Sequence, residues 1–419
     1  MNAGMLPAVE KRDVVVIGGG PAGMTAALGA KRAGAADVLL VERDRNLGGI
    51  LNQCVHDGFG LFLYKKSISG PEFAERLAED VEREGIAVQT GAMVLDLGPD
   101  RLLRLNAPDG YRLIRAGAVV LAMGCRERTR DMIEIPGMRP AGVLTAGSAQ
   151  ALVNLQNIRI GREAVILGSG DIGLIMARRL TFEGIKVKGV FEIMPWPGGL
   201  ERNIRQCLKD FGIPLELSRT VVEIRGRERL SAVVTARVDE RLMPVAGTEE
   251  IVPCDTLLLS VGLIPENELA KRAGIALSPL TGGAVVDETF MTGVEGIFSC
   301  GNVLHIHDIA DWAAAEGLAA GRRAAEYVLG LRSLAETVRV SAAGYLRYAL
   351  PQAVHRGARD VTVHFRVARP VRGLKVEARG VETGRRCGGR RLARAIPSEM
   401  QTILLKGPIE EDIEVGGHD

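Results

Sequence analysis

A chain of 419 residues is long enough for two or three domains, each with a core of its own. Hydrophobic residues make up 47 % and charged residues 25 %, the balance of a soluble protein, while a net charge of +2 with 4 % aromatics leaves no footprint for nucleic acid. The six cysteines (Cys54, Cys125, Cys207, Cys254, Cys300 and Cys387) show no Cys-x-x-Cys or zinc-like spacing, which speaks against an iron–sulfur or metal centre and fits free thiols in a reducing cytoplasm.

Residues 1–12 mix charge, proline and glycine without an apolar core, so no signal peptide is expected there. The uncharged run 14–30 holds five glycines and a proline, which reads as strand, turn and helix and not as a membrane span. Its turn is Gly18-Gly19-Gly20-Pro21-Ala22-Gly23. Glu42 closes the next apolar run, 38–41, at 42 − 18 = 24 residues from the first glycine. An amphipathic segment (70–84), an extended stretch (87–97) and an apolar strand (118–122) ending in Met123-Gly124-Cys125 follow. Pro136-Gly137 and residues 142–147 read as a connection.

The same fingerprint then returns as Gly168-Ser169-Gly170-Asp171-Ile172-Gly173, after the apolar run 163–167. Glu192 closes the run 185–191, and 192 − 168 is again 24. This unit spans about 160–265, ending in a strand at 256–260 and Val261-Gly262-Leu263-Ile264-Pro265. A segment at 285–303 contains Gly296-Ile297-Phe298-Ser299-Cys300-Gly301-Asn302-Val303, and a helix is expected over 310–329. Beyond Leu331, apolar and polar residues alternate at 361–367, 374–378 and 400–404, the period of strands. Between 335 and 397 there are 14 Lys/Arg against 4 Asp/Glu, either a solvated basic surface or a docking face for an acidic partner or subunit.

In such a turn the first glycine permits the tight strand-to-helix reversal, the second lets a pyrophosphate approach the backbone, and the third lets helix and strand pack closely. The helix N-terminus adds free N–H groups and about half a positive charge. A carboxylate about 20 residues on accepts hydrogen bonds from a ribose diol. Two copies with strand, helix and acid in register therefore point to two dinucleotide sites.

These residues resemble the pyridine nucleotide-disulfide oxidoreductase superfamily, flavoproteins with two dinucleotide-binding domains, over about residues 13–331. Ala122-Met123-Gly124 matches the family's Ala-Thr-Gly turn, and the stretch from Gly296 to Val303 matches its Gly-Ile-Tyr-Ala-x-Gly-Asp pattern. The resemblance implies an α/β fold of two Rossmann-like domains, the NAD domain inserted in the FAD domain, plus a small C-terminal β-rich domain. It divides the chain into 1–155 with 266–331 for FAD, 156–265 for NAD(P)H, and 332–419 as a possible subunit-docking module. It assigns FAD to Gly18, Gly20, Pro21, Ala22, Gly23, Glu42, Arg43, Gly49, Val94, Ala122, Gly124, Gly301 and Asn302, and NAD to Gly168, Gly170, Asp171, Ile172, Gly173, Glu192 and Gly262. Glu192 favours NADH over NADPH because a carboxylate repels a 2′-phosphate, although Arg202 further on softens that preference.

The chain departs from the family in two places. Asn302 replaces the usual aspartate, and the positions of the redox cysteine pair hold Leu51 and His56, so disulfide reduction is not expected. A narrower resemblance covers the stretch from Gly48 to Gly60, Gly124-Cys125-Arg126-Glu127-Arg128, the stretch from Gly301 to Asp308, and Pro397-Ser398-Glu399-Met400. It is to a bacterial subgroup similar to NAD(P)H-side subunits that accompany a glycerol-3-phosphate-dehydrogenase-like flavoprotein and a small cysteine-rich protein. The α subunits of sarcosine, opine and hydroxyproline dehydrogenases are more distant relatives. The resemblance thus implies an oligomeric FAD-dependent oxidoreductase that moves hydride between NAD(H) and flavin and exchanges electrons with a partner subunit. Two alternatives stand beside it: a stand-alone NADH oxidase or peroxidase cycling through Cys54, and a non-catalytic assembly subunit whose FAD is structural.

Catalytic candidates are His305 and His307, either proton donors or acceptors for the flavin or packing residues at a helix start, and Cys54 with His56, either redox-active or simply structural. Arg126 and Arg128 fit an anion contact or ordinary salt bridges.

Overall fold

The computed structural model describes residues 8–331 and 335–418, so the first seven residues of the stretch expected to lack a signal peptide, and the start of the C-terminal module at 332–334, lie outside the described residues. Two compact units result, one made of residues up to 125 and from 265 onward, the other of 126–264. Among the described residues no helix is long and apolar enough to cross a membrane.

In the first unit the strand Val9–Ile17 pairs in parallel with Val38–Val41 on one side and Gly110–Leu121 on the other. Ala87–Gln89 extends the sheet beyond Val38–Val41, and Ile297–Ser299 pairs in parallel with the end of Gly110–Leu121. Val14 and Val16 enter one core and Val15 and Ile17 another, so the sheet is covered on both faces and its strands read as unbroken apolar runs. The helices Pro21–Arg32 and Ala310–Val328 lie on one face and touch backbone to backbone. A Cβ at Gly317 would stand 2.1 Å from the Ala22 carbonyl oxygen, and one at Gly321 would stand 1.8 Å from that of Ala26. Small residues here are a condition of the contact.

The second unit has a five-stranded parallel sheet centred on Glu163–Leu167 and Thr256–Leu259, with an antiparallel sheet of Arg219–Arg225, Ala232–Arg237 and Glu250–Pro253. Residues 142–147, expected to be a connection, instead form the strand Val143–Thr145 and the start of the helix Ala146–Asn154. The strand is only three residues long and pairs with Thr256–Leu259, a tertiary partner invisible in its own glycine-rich sequence.

The C-terminal module is all β among the described residues. Five strands, from Ala353–His355 through Thr337–Gly344, Ile413–His418 and Val371–Gly380 to Arg386–Ala395, face a sheet of Leu346–Leu350, Val361–Val367 and Gln401–Leu405. Val363, Phe365, Leu374 and Val376 fill the core between them. The module is anchored to the rest of its unit: Tyr348 and Leu350 enter the core behind the first sheet, and His355 meets the carboxylate of Glu288 at 3.0 Å. The fold class expected from the sequence, two Rossmann-like layers and a β-rich C-terminus, is the one observed.

Candidate functional site

The first glycine turn lies between Val9–Ile17 and the helix Pro21–Arg32. Gly18 has φ +107°, and a Cβ there would stand 2.4 Å from the Ala122 carbonyl oxygen, so only glycine closes this turn against the neighbouring strand end. Gly23 packs against Gly18 in turn. Gly20, by contrast, faces open space: a Cβ there would meet nothing within 4 Å. The helix it begins has no side-chain cap and no acid in its first turn. Its N–H groups and positive end are left for an anion, the condition a pyrophosphate requires.

Glu42 is buried, and its carboxylate accepts the Gly19 N–H at 2.5 Å and the Asp44 N–H at 2.8 Å. Arg43 beside it is exposed. The backbone of Gly91 and Ala92 bonds to Asp44 and Glu42, which brings the strand carrying buried Val94 close behind Glu42. The segment holding Gly49 folds onto the turn, since Gly48 donates to the Gly19 carbonyl at 2.8 Å. Gly124 and Gly301 both take positive φ, and Gly301 presses on the side of Ala22. Asn302 accepts the His307 N–H at 2.9 Å through its amide oxygen, while its nitrogen lies 3.6 Å from the Cys125 sulfur. The first turn therefore gathers Gly18, Gly20, Pro21, Ala22, Gly23, Glu42, Gly49, Ala122, Gly301 and the strand of Val94 into one place.

The second turn repeats this arrangement within its own unit. Gly168 has φ +91° and a Cβ there would meet the Ser260 carbonyl at 2.1 Å, while Gly173 donates to the Ser260 hydroxyl at 3.2 Å. Glu192 is buried and accepts the Ser169 N–H at 2.9 Å, the Ser169 hydroxyl at 2.6 Å and the Met194 N–H at 3.0 Å. Gly198 donates to the same hydroxyl at 2.7 Å. Asp171, at the helix start, accepts from the Leu200 N–H and from the Asn203 amide, so its charge is committed to the segment that follows Glu192. Gly170, Asp171 and Ile172 all keep partial exposure. Gly262 accepts from the Arg128 N–H at 3.0 Å through its carbonyl.

Beside Gly301 the expected His305 and His307 join two residues that local patterns do not announce, Glu316 and His364. Glu316, on the helix Ala310–Val328, accepts the Gly301 N–H at 2.6 Å and faces His305 Nε2 at 2.8 Å and His307 Nε2 at 3.1 Å. Burial alone would raise its carboxyl, but the two imidazoles hold it well below the usual carboxylate range. Burial also pushes His305 down, against the pull of Glu316. An anionic Glu316 accepts an Nε2–H from each ring, and both Nδ1 atoms are buried without a hydrogen-bond partner. His364, from the C-terminal strand Val361–Val367, stands with its ring 5.7 Å from that of His305, and its Nδ1 is likewise orphaned. His305, His307 and Glu316 bring ligand atoms within 4.8 Å of one another, a spacing that also suits a cation, yet hydrogen bonds already account for the carboxylate.

Sequence reasoning also missed what holds the histidine segment. Arg366 forms an ion pair with Asp308 and donates to the Ile306 carbonyl at 2.9 Å, and Asp308 accepts the Met400 N–H at 2.7 Å. The two motifs at 301–308 and 397–400, far apart in the chain, therefore meet in space. Cys54 is half-buried, donates to the Ile50 carbonyl at 3.3 Å, and its thiol is pushed up to about 12 by desolvation. His56 is half-buried, with its ring 5.1 Å from that of Phe59. No two cysteines are disulfide-bonded among the described residues.

A family signature described as pyridine nucleotide-disulphide oxidoreductase matches residues 12–318. The chain belongs to that family. Membership makes it an FAD-dependent oxidoreductase that uses a pyridine nucleotide, and the open cradle at Gly20 and the orphaned imidazole nitrogens beside Gly301 fit a flavin nucleotide. Among curated relatives, hydrogen cyanide synthase subunit HcnB of Pseudomonas protegens is 26 % identical, matching 62 % of this chain and 58 % of its own. An opine oxidase subunit of Agrobacterium tumefaciens is 27 % identical over 63 % of this chain and 55 % of its own. The chain thus spans little more than half the length of these two relatives. The solved thioredoxin reductase of T. acidophilum shares the fold, with a TM-score of 0.63 and 23 % identity over 77 % of this chain and all of that one.

Proposed function

We propose that this oxidoreductase takes hydride from NADH and passes the electrons to a redox partner subunit, without a redox disulfide. The observation that carries the reading is the repetition of one arrangement in the two units: a glycine turn whose second residue donates its N–H to a buried carboxylate 24 positions beyond the first glycine (42 − 18 and 192 − 168). On this reading the first turn holds FAD through Gly18, Gly20, Gly23 and Glu42, and the second holds NADH through Gly168, Gly170, Gly173 and Glu192. When bound, the two cofactors supply hydride transfer; the protein supplies binding and orientation.

Glu42 and Glu192 take the role of ribose acceptors, each oriented by two backbone N–H groups. Glu192 favours NADH, since its charge repels a 2′-phosphate. His305 and His307 turn Nε2 to Glu316 and keep a buried Nδ1 without a hydrogen-bond partner, which suits them to moving a proton at the flavin site. Leu51 and His56 stand where the family's cysteine pair would be, and a Cys54 thiol near 12 stays protonated, which favours this reading over a peroxidase cycle. The names of two relatives describe subunits, which supports electron passage to a partner.

An anaerobic titration of the purified protein with NADH and with NADPH, followed at the flavin absorbance, tests the reading. Bleaching by NADH at lower concentration than by NADPH, with little aerobic turnover by the isolated chain, is expected. Rapid aerobic NADH consumption would replace it with the oxidase reading, and no bleaching would leave the non-catalytic assembly role.

A further inference from the structure

In the C-terminal module the strand Arg386–Ala395 is the last of the five-stranded sheet and Gln401–Leu405 the last of the three-stranded one, so two strand edges lie side by side. They join where Lys406 donates its N–H to the Cys387 carbonyl at 2.7 Å and where Arg390 reaches the Thr402 carbonyl at 2.8 Å. Around this junction opens a groove of about 660 Å³. Arg385, Arg386, Arg390 and Lys406 line it, all exposed, and no carboxylate does. The nearby carboxylate of Glu377 is 3.6 Å from Arg386 but is already shared with Lys375 and Arg379.

Two glycines let the parts of this junction lie in close contact. A Cβ at Gly388 would stand 2.7 Å from the Leu404 carbonyl oxygen, and one at Gly389 would stand 1.9 Å from the Arg386 guanidinium. Cationic side chains therefore crowd a close-packed strand junction, Arg386 lying over Gly389 and donating to the Gly388 carbonyl at 3.3 Å, and Leu404 adds an exposed apolar contact. No aromatic ring lines the groove, so the stacking platform that single-stranded nucleic acid uses is missing.

We propose that this groove docks an acidic, extended segment of a partner protein, its carboxylates on Arg385, Arg386, Arg390 and Lys406 and its backbone along a strand edge. The proposal rests on the reading that the chain works with a partner subunit, and it names the surface and the chemistry of the contact.

The test uses the full FAD-loaded chain and a fluorescein-labelled peptide of alternating Glu and Thr, read by anisotropy at about 0.05 and 0.5 M salt. The parent should bind at low salt and release at high salt. Arg386→Glu with Arg390→Glu should weaken binding by about tenfold or more, while Arg391→Glu, on the same strand but outside the groove, should keep most of it. Flavin content and anaerobic bleaching by NADH should be the same in all three proteins, which shows that each is folded. Equal binding by the double variant, or no binding by the parent, overturns the groove. Tighter binding of a single-stranded oligonucleotide that the double variant loses would overturn it in favour of nucleic acid. Failure of NADH to bleach the parent would instead sink the hydride reading and leave the docking result standing on its own.

Discussion

Ser169 gives Glu192 two hydrogen bonds on one carboxylate oxygen, from its amide at 2.9 Å and from its hydroxyl at 2.6 Å, where Gly19 gives Glu42 only the amide bond. The hydroxyl also accepts from Gly198, so Ser169 ties the Glu192 carboxylate to the segment that follows it. Removing the hydroxyl takes away one bond to a charged group, worth about 1.5–3 kcal/mol in a buried setting. Ser169→Ala should therefore raise the NADH concentration needed for half-bleaching by about threefold to tenfold, part of that energy reaching the ligand. Glu192→Ala should cost more, with FAD retained in both; Glu42→Ala should instead loosen FAD. Flavin retained on a desalting column and an anaerobic NADH titration separate the three, and parental behaviour of both glutamate variants would remove the ribose assignments.

Cys54 offers a test of a different kind. With its thiol near 12, roughly one part in ten thousand is thiolate at pH 8. Iodoacetamide at that pH should leave Cys54 unmodified in the folded protein, as read by peptide mass, and should label it after unfolding. Cys54→Ser should bleach with NADH as the parent does. Fast alkylation, or a sulfenic acid trapped at Cys54 after peroxide, would revive the peroxidase reading.

Both glycine turns and both glutamates were legible because their chemistry is local: strand, turn, helix and acid all fall within one stretch of about 25 residues. The helix Ala310–Val328 was legible for the same reason, from an alanine-rich stretch without proline. The sites' supports were not. Asp308 meets Met400, and His305 meets His364, across a helix and several strands of intervening chain, so nothing in either stretch announces the other. The strand Arg386–Ala395 escaped notice because a sheet edge needs no apolar alternation, and its sequence carries arginines and glycines instead. Leu374–Ala378 and Val361–Val367, each with a face in the core, show their alternation plainly.

His364 links acid stability to the contact between the C-terminal module and the histidine cluster. Burial pushes its imidazole down to about 4, with His305 and His307 adding to the effect and Glu316 opposing it. In the unfolded chain the ring titrates near 6.5, so between about 6.5 and 4 the unfolded state binds more protons and stability falls as pH falls. The full window is worth about 3 kcal/mol, and about 2 kcal/mol of that lies above pH 5. His364→Gln removes this contribution. The variant should lose less melting temperature than the parent between pH 7 and pH 5, and parallel curves for the two proteins would mean that the ring is not held neutral by its surroundings.

Arg366 and Asp308 form the ion pair that fastens the module to the segment carrying the histidines, both side chains being almost nine-tenths buried. A buried pair adds little net stability when compared with apolar residues, yet removing one partner strands the other charge. Arg366→Met leaves Asp308 facing only the Met400 N–H and should cost about 3–5 kcal/mol in urea unfolding. Asp308→Asn in the same background takes the stranded charge away and should recover part of that loss, a coupling that two independent surface residues would not show. Because Ile306 also loses the bond that Arg366 gives its carbonyl, the single variant should expose the module to limited proteolysis before the rest of the chain. A loss below about 1 kcal/mol, or no recovery in the double variant, would mean that the module is held by its other anchors, the apolar contacts at Tyr348 and Leu350 and the contact of His355 with Glu288.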